Sequence, residues 1–169
     1  ANGLFKDRID GASLAVIGCG PIGIFCAQLA LAAGARRVFV TDVSEYRLEM
    51  ARRIVPEATA LNPARDDVRA AVDEATSGRG LDVVIELSGS GPGTAQAFDL
   101  LAKGGRVSLV GLPSQPITLE MTSAIIYREA VVYGSTGRLM WDTWYRVEGL
   151  LKEGKFDPLP VITHRFPME

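Results

Sequence analysis

At 169 residues the chain has the length of about one domain and is long enough to bury a real core. With 47% hydrophobic and 22% charged residues it has the balance of a folded globular protein, which excludes disorder as the default state. A net charge of -2 gives no electrostatic footing for a nucleic-acid partner.

In chain order, residues 1–12 carry Lys6, Asp7, Arg8 and Asp10 with little apolar periodicity and read as a tether. Ser13–Ile17 is an apolar strand, and Gly18-Cys19-Gly20-Pro21-Ile22-Gly23 follows it as a tight turn opening a helix over 21–33 that stops at Gly34. A strand at Arg37–Thr41 ends on Asp42, about 20 residues beyond the turn. Ser44 is the expected N-cap of a helix over 44–54, with a strand at 58–61 and a helix over 67–76 ending before Gly78. Strand 82–87, helix 94–101 (with Gly104 as its stop), strand 106–110, strand 130–134 and helix 139–152 complete the alternation. Residues 156–169 hold three prolines and no clear element, so they read as a second tether. Domain bounds follow at 1–12, 13–154 and 155–169.

Continuous apolar strands separated by helices predict a mostly parallel sheet covered on both faces. The expected fold class is α/β, a doubly wound Rossmann sheet of six strands in the order 3-2-1-4-5-6. In that frame the glycine turn, its helix and the acid after the second strand form a dinucleotide-binding fingerprint. Gly18 permits the sharp turn, Gly20 lets a pyrophosphate approach the backbone, and Gly23 lets helix and strand pack closely. The helix N-terminus offers unpaired N–H groups to phosphates, and the Asp42 carboxylate would accept hydrogen bonds from ribose hydroxyls. Ligands bind such sheets at the carboxyl ends of the strands. Asp42, Ser88-Gly89, Val110-Gly111-Leu112 and Ser135-Thr136 end successive strands and would line one rim, adenosine toward Asp42 and nicotinamide toward Gly111 and Ser135. For the last two groups, ordinary turns after strands are the competing reading.

Several residues admit two readings. Arg47 lies on the first turns of its helix, over an adenine face or simply in solvent. Glu86, inside the run Val83-Val84-Ile85, either bonds neighbouring backbone or acts in catalysis, the former being favoured because a buried carboxylate needs hydrogen bonds. Met140, Trp144, Val147 and Leu151 form one apolar helix stripe flanked by Trp141 and Tyr145, serving core packing or a subunit contact. Cys19 and Cys26 would lie about 10 Å apart on a continuous helix, too far for a disulfide. They read as small buried hydrophobes, although a helix N-terminus can lower the pKa of a thiol such as Cys19. With one histidine, His164, and two cysteines, a metal site built from this chain alone is not expected. No apolar run reaches membrane-spanning length, the longest (22–33) being interrupted by Gln28, and no charged-then-apolar leader is seen, so a cytoplasmic location is expected.

Val16 to Gly23, Thr41-Asp42-Val43 with Glu45-Tyr46-Arg47-Leu48, and Glu86-Leu87-Ser88-Gly89 resemble the nucleotide-binding domain of the medium-chain zinc-dependent dehydrogenases. Gly137-Arg138 with Trp141, Thr143-Trp144-Tyr145 and Ile162-Thr163-His164-Arg165-Phe166 are similar to the branch that oxidises the secondary alcohol of L-threonine to 2-amino-3-oxobutanoate. The resemblance runs from about residue 13 to 166. It implies NAD as cofactor and matches Ile22, Asp42, Arg47, Val110, Gly111, Leu112, Ser135 and Thr136 to positions that contact it; with Gly18, Gly20, Pro21 and Gly23 of the turn and Ser88 of the rim, these make up the expected cofactor-binding set. It further implies that the zinc ligands and proton relay lie in an N-terminal catalytic domain outside the chain. The chain alone would then be inactive, with no catalytic or metal residue of its own, and would join a homo-oligomer through strand 130–134. The alternatives are a polyol or other alcohol dehydrogenase of the same family, and a regulatory nucleotide-sensing domain. An S-adenosylmethionine-binding domain would normally show G-x-G-x-G, which Gly18–Gly23 does not.

Overall fold

The computed structural model describes residues 2–137 and 139–168, so Ala1 and Glu169, the outer bounds of the two expected tethers, and Arg138 of the resemblance lie outside the described residues. Strands β1 (Ser13–Ile17), β2 (Arg37–Thr41), β3 (Thr59–Leu61), β4 (Leu81–Glu86), β5 (Leu101–Leu109) and β6 (Val131–Gly134) alternate with helices for most of the chain. The helices are α1 (Pro21–Ala32), α2 (Glu45–Ile54), α3 (Val68–Thr76), α4 (Gly91–Asp99) and α5 (Asp142–Lys152). The strands form one parallel sheet in the order β3-β2-β1-β4-β5-β6, the doubly wound order expected from the sequence.

The apolar strands read as continuous because both faces of the sheet are covered. Leu14 and Val16 of β1, with Val83 and Ile85 of β4, pack against Ile24 and Leu29 of α1 and Leu48 of α2. Their alternates Ala15, Ile17 and Val84 face Val68 and Val72 of α3 and Ala97 and Phe98 of α4. Period-two alternation thus feeds two cores, and burying each large apolar side chain contributes roughly 1.5–3 kcal/mol.

Several boundaries differ from expectation for local reasons. Helix α4 begins at Gly91, earlier than 94, because Ser90 caps it: its Oγ accepts from the N–H of Gly93 at 3.1 Å, and Pro92 suits a first turn. Strand β5 starts at Leu101, paired with Leu81, before an irregularity shifts the register, so Leu101, expected to end a helix, instead opens a strand. Helix α5 starts at Asp142, later than 139, because Trp141 stands at φ 71 and cannot continue it backward. Ser44 occupies the N-cap of α2 as expected, but its side chain makes no capping bond. A π turn at Thr122–Ile126 and short 3-10 turns at Leu4–Lys6 and Leu159–Val161 carry no periodicity that would reveal them.

Both supposed tethers dock on the fold. Leu4 and Ile9 are buried in the core, as are Phe156 and Val161. Phe156 meets Phe25 edge to face at 5.4 Å, and the N–H of Asp157 donates to Gln28 Oε1 at 3.2 Å. The α5 stripe behaves differently from a core stripe. Val147 and Leu150 pack against the core, and Arg146 sits 3.7 Å over the Phe5 ring, but Met140, Trp141, Trp144, Tyr145 and Leu151 are exposed. No helix among the described residues is long and apolar enough to cross a membrane.

Among the glycines, the closest approach lies at the glycine turn. A Cβ on Gly23 would stand 2.0 Å from the carbonyl oxygen of Gly18. We predict that Gly23→Ala costs about 3 kcal/mol, the upper end for overpacking, because the obstacle is backbone and not a movable side chain. Urea denaturation checks this; a loss under about 0.5 kcal/mol, the range of innocuous surface changes, would contradict it.

Candidate functional site

Where the sheet reverses its winding, a cavity of about 830 Å³ opens at the carboxyl ends of β1, β2, β4 and β5. Its floor begins with the glycine turn. Gly18 sits at φ +97, and a Cβ there would meet Ser88 N at 2.9 Å, so only glycine carries the chain past the loop after β4. Its N–H donates to the Thr41 carbonyl at 2.8 Å, tying the turn to β2. A Cβ on Gly20 would meet nothing within 4 Å, which leaves this stretch of backbone open to the cavity. Pro21, Ile22 and Gly23 form the first turn of α1, whose N–H groups have no intrahelical acceptor and give this rim positive potential.

Asp42 faces that turn from the end of β2. Its carboxylate is only 7% exposed and accepts from the N–H of Cys19 at 2.8 Å through Oδ2 and from the N–H of Ser44 at 2.8 Å through Oδ1. Arg47 reaches Oδ2 with Nη1 at 3.4 Å while its side chain stays 56% exposed. An ionised carboxylate has about four acceptor positions, so Asp42 retains capacity for a hydroxyl donor from the cavity. Arg47 lines the same wall, turned toward Asp42.

Glu86 has a structural job. It is 1% exposed, and its carboxylate accepts from the N–H groups of Ser88 at 2.8 Å and Gly89 at 3.1 Å and from the Ser88 hydroxyl. The Glu86 carbonyl accepts from the N–H groups of Val110 and Gly111 at 2.9 and 3.0 Å. One residue therefore fastens the loops after β4 and β5 together. Gly111 is needed there, since a Cβ would fall 2.2 Å from Gly89 N and 2.6 Å from Glu86 Oε2.

Every member of the expected set lines the cavity except Ser135 and Thr136. Those two follow β6 beyond its wall: Ser135 N donates to Leu109 O at 2.9 Å, its Oγ is buried without a hydrogen-bond partner among the described residues, and Thr136 is exposed. The cavity also recruits Val43, Pro63, Ser90, Gly93 and Gln96. Val43 had a signal as the neighbour of Asp42, whereas Ser90 was hidden because the helix it caps was expected to begin later, at 94. Pro63 and Gln96 had none, although Gln96 Oε1 accepts from the Thr41 hydroxyl at 3.2 Å across the floor.

Cys19 is not the activated thiol that a helix N-terminus can create. Burial, and next the Asp42 carboxylate, push it up to about 12, so it stays protonated at neutral pH. Burial likewise raises Cys26, and both cysteines are free. His164 is exposed, with Nδ1 2.9 Å from Thr163 Oγ1. Among the described residues no group of three His, Cys, Asp or Glu converges as a metal site, so these residues do not fit a zinc centre.

The geometry has clear relatives. The family model for zinc-binding dehydrogenases matches residues 21–153. An L-threonine 3-dehydrogenase from Caldanaerobacter subterraneus subsp. tengcongensis is 40% identical over 166 residues, which is 98% of this chain and 48% of that relative. Among solved structures, 2R,3R-butanediol dehydrogenase from Bacillus subtilis is 29% identical with a TM-score of 0.83, over 96% of this chain and 47% of that one. A putative zinc-binding dehydrogenase from Sinorhizobium meliloti 1021, bound to NADP, is 28% identical with a TM-score of 0.80, over 92% of this chain and 46% of that one. This chain spans about half the length of the curated relatives it matches. It belongs to the zinc-binding dehydrogenase family, which sets aside the regulatory-sensor alternative.

Proposed function

We propose that this member of the family is the NAD-binding half of a zinc-dependent dehydrogenase that oxidises L-threonine to 2-amino-3-oxobutanoate. The observation that carries the reading is the facing pair of Asp42 and the α1 N-terminus across one cavity, an acceptor for ribose hydroxyls opposite donors for a pyrophosphate. Bound there, NAD would accept hydride from the alcohol carbon. Gly20, Ile22 and Gly23 would hold the phosphates, Asp42 the adenosine ribose, and Val110, Gly111 and Leu112 the side leading to the nicotinamide. Ser135 and Thr136 remain candidates for the nicotinamide end, from the end of β6, the strand beside β5.

The domain division 1–12, 13–154 and 155–169 belongs to the same proposal, with zinc held by the other half of the whole enzyme in the cytoplasm. The similarity to butanediol dehydrogenase supports a second reading, a polyol or simple alcohol as substrate. Comparing L-threonine with 2,3-butanediol as substrates of the full-length enzyme separates the two.

Cofactor choice follows from Asp42. Its carboxylate would accept a bond from the 2′-hydroxyl of NAD but repel the roughly two negative charges of a 2′-phosphate. Calorimetric titration should show tighter binding of NAD than NADP. Asp42→Ala should weaken NAD by about 1.5–3 kcal/mol and narrow the gap. Equal or tighter NADP binding by the unaltered chain would overturn the role of Asp42.

Two further outcomes are expected. Highly purified chain supplied with NAD, zinc and L-threonine should show no turnover; activity proportional to its concentration would contradict the division of labour. Strand β6 ends the sheet with Val131 and Val132 exposed, an apolar edge of the kind that proteins pair or cover. Sedimentation equilibrium should therefore show a homodimer or larger assembly, and a monomer at high concentration would count against pairing through this edge.

A further inference from the structure

Arg106 on β5 is 6% exposed, yet no carboxylate among the described residues forms an ion pair with it. Its Nη2 donates instead to the main-chain carbonyls of Leu4, Asp7 and Arg8, each at 3.3 Å. Nη1 is buried and finds no hydrogen-bond partner among the described residues. Burial pulls its pKa below the usual arginine value, against the opposing pull of Asp7 and Tyr133. A guanidinium in this position depends on those three carbonyls, because removing them leaves an uncompensated buried charge. The segment that supplies them is correspondingly fixed.

The consequence runs along one face of β5, where every second side chain points the same way. Two residues on from Arg106, Ser108 Oγ donates to the Gly3 carbonyl at 2.7 Å. Two further on is Val110. A Cβ on Gly3 would lie 2.8 Å from Val110 Cγ2 and 3.5 Å from both Cβ and Oγ of Ser135. Gly3 is thus seated against the residues just past the ends of β5 and β6. In a doubly wound sheet the two halves of a dinucleotide lie on opposite sides of the switch point. Asp42 marks the adenosine side, which leaves Val110 and Ser135 on the nicotinamide side.

We propose that Arg106 is a positioning residue for the nicotinamide end of the cofactor, acting through Gly3 on Val110 and Ser135. The inference rests on the NAD reading above. Arg106 and Ser108 clamp residues 3–8 to the sheet, and the clamp sets how closely Gly3 approaches the two strand ends. Arg106 touches neither the cavity nor the adenosine side, so its effect is confined to one half of the ligand.

Titration of NADH and of ADP-ribose, which lacks the nicotinamide, tests this on the chain with thermal melting as a check of folding. Arg106→Met, Ser108→Ala and Gly3→Ala each remove or displace a different part of the clamp. Each variant that retains the fold should bind NADH about tenfold more weakly (~1.4 kcal/mol) while ADP-ribose affinity changes less than about twofold. Should Arg106→Met fail to fold, Ser108→Ala and Gly3→Ala decide the matter, since neither leaves a charge stranded. Equal losses for both ligands, or unchanged NADH binding in the folded variants, would overturn the positioning role. Failure of the unaltered chain to bind either ligand would overturn the NAD reading, and the inference with it.

Discussion

The cleft depends on how closely α1 sits against the end of β1. Gly23 leaves no room for even a methyl group above the Gly18 carbonyl, and that distance aims the first turn of α1 into the cavity. Gly18 in turn has to pass the loop after β4 with positive φ. If either position carried a side chain, the helix would tilt or retreat. Its unpaired N–H groups would then point away from the strand ends where ligands of such sheets bind. Function here begins as a packing constraint.

Two buried carboxylates hold the remaining walls to that frame. Asp42 takes N–H groups from the glycine turn and from the start of α2, and Glu86 takes those of the loop after β4. Hydrogen bonds to a charged acceptor contribute roughly 1.5–3 kcal/mol each, which offsets the cost of burying the charge. The roles differ because the surroundings do. Glu86 is enclosed by the backbone it fastens, whereas Asp42 keeps acceptor capacity at the edge of the open cavity. The same logic reappears at Arg106, where a buried cation is met by main-chain carbonyls. Around this cleft, buried charge organises loops that apolar packing alone would leave free to shift.

Much of this was legible because it rests on local rules. Continuous apolar runs identified the strands, and the glycine spacing with Asp42 identified the turn and its rim. What escaped has physical reasons too. Leu4, Ile9, Phe156 and Val161 enter the core singly, without the spacing that marks an element. Gly91-Pro92-Gly93 has the composition of a loop, yet a serine cap and a proline in the first turn make it helical. Periodicity placed Trp144, Val147 and Leu151 on one stripe of α5 but wrongly added Met140, which precedes the helix, and it cannot say what covers a stripe. Of the three on the helix, Val147 packs against the core while Trp144 and Leu151 are exposed. Nothing local marks Arg106 as buried, because the carbonyls that receive it lie about 100 residues earlier in the chain.

The glycine turn, the start of α1 and the end of β2 are proposed to form the cofactor-binding surface together. Amide-resolved NMR of the isotope-labelled chain during titration with NAD tests it most directly. Saturable shifts should be largest at the N–H groups of Gly20, Ile22, Gly23 and Asp42, with a second group at 110–112. Saturable shifts confined to other surfaces, such as α5, with the turn unchanged would contradict it, as would the absence of any saturable shift.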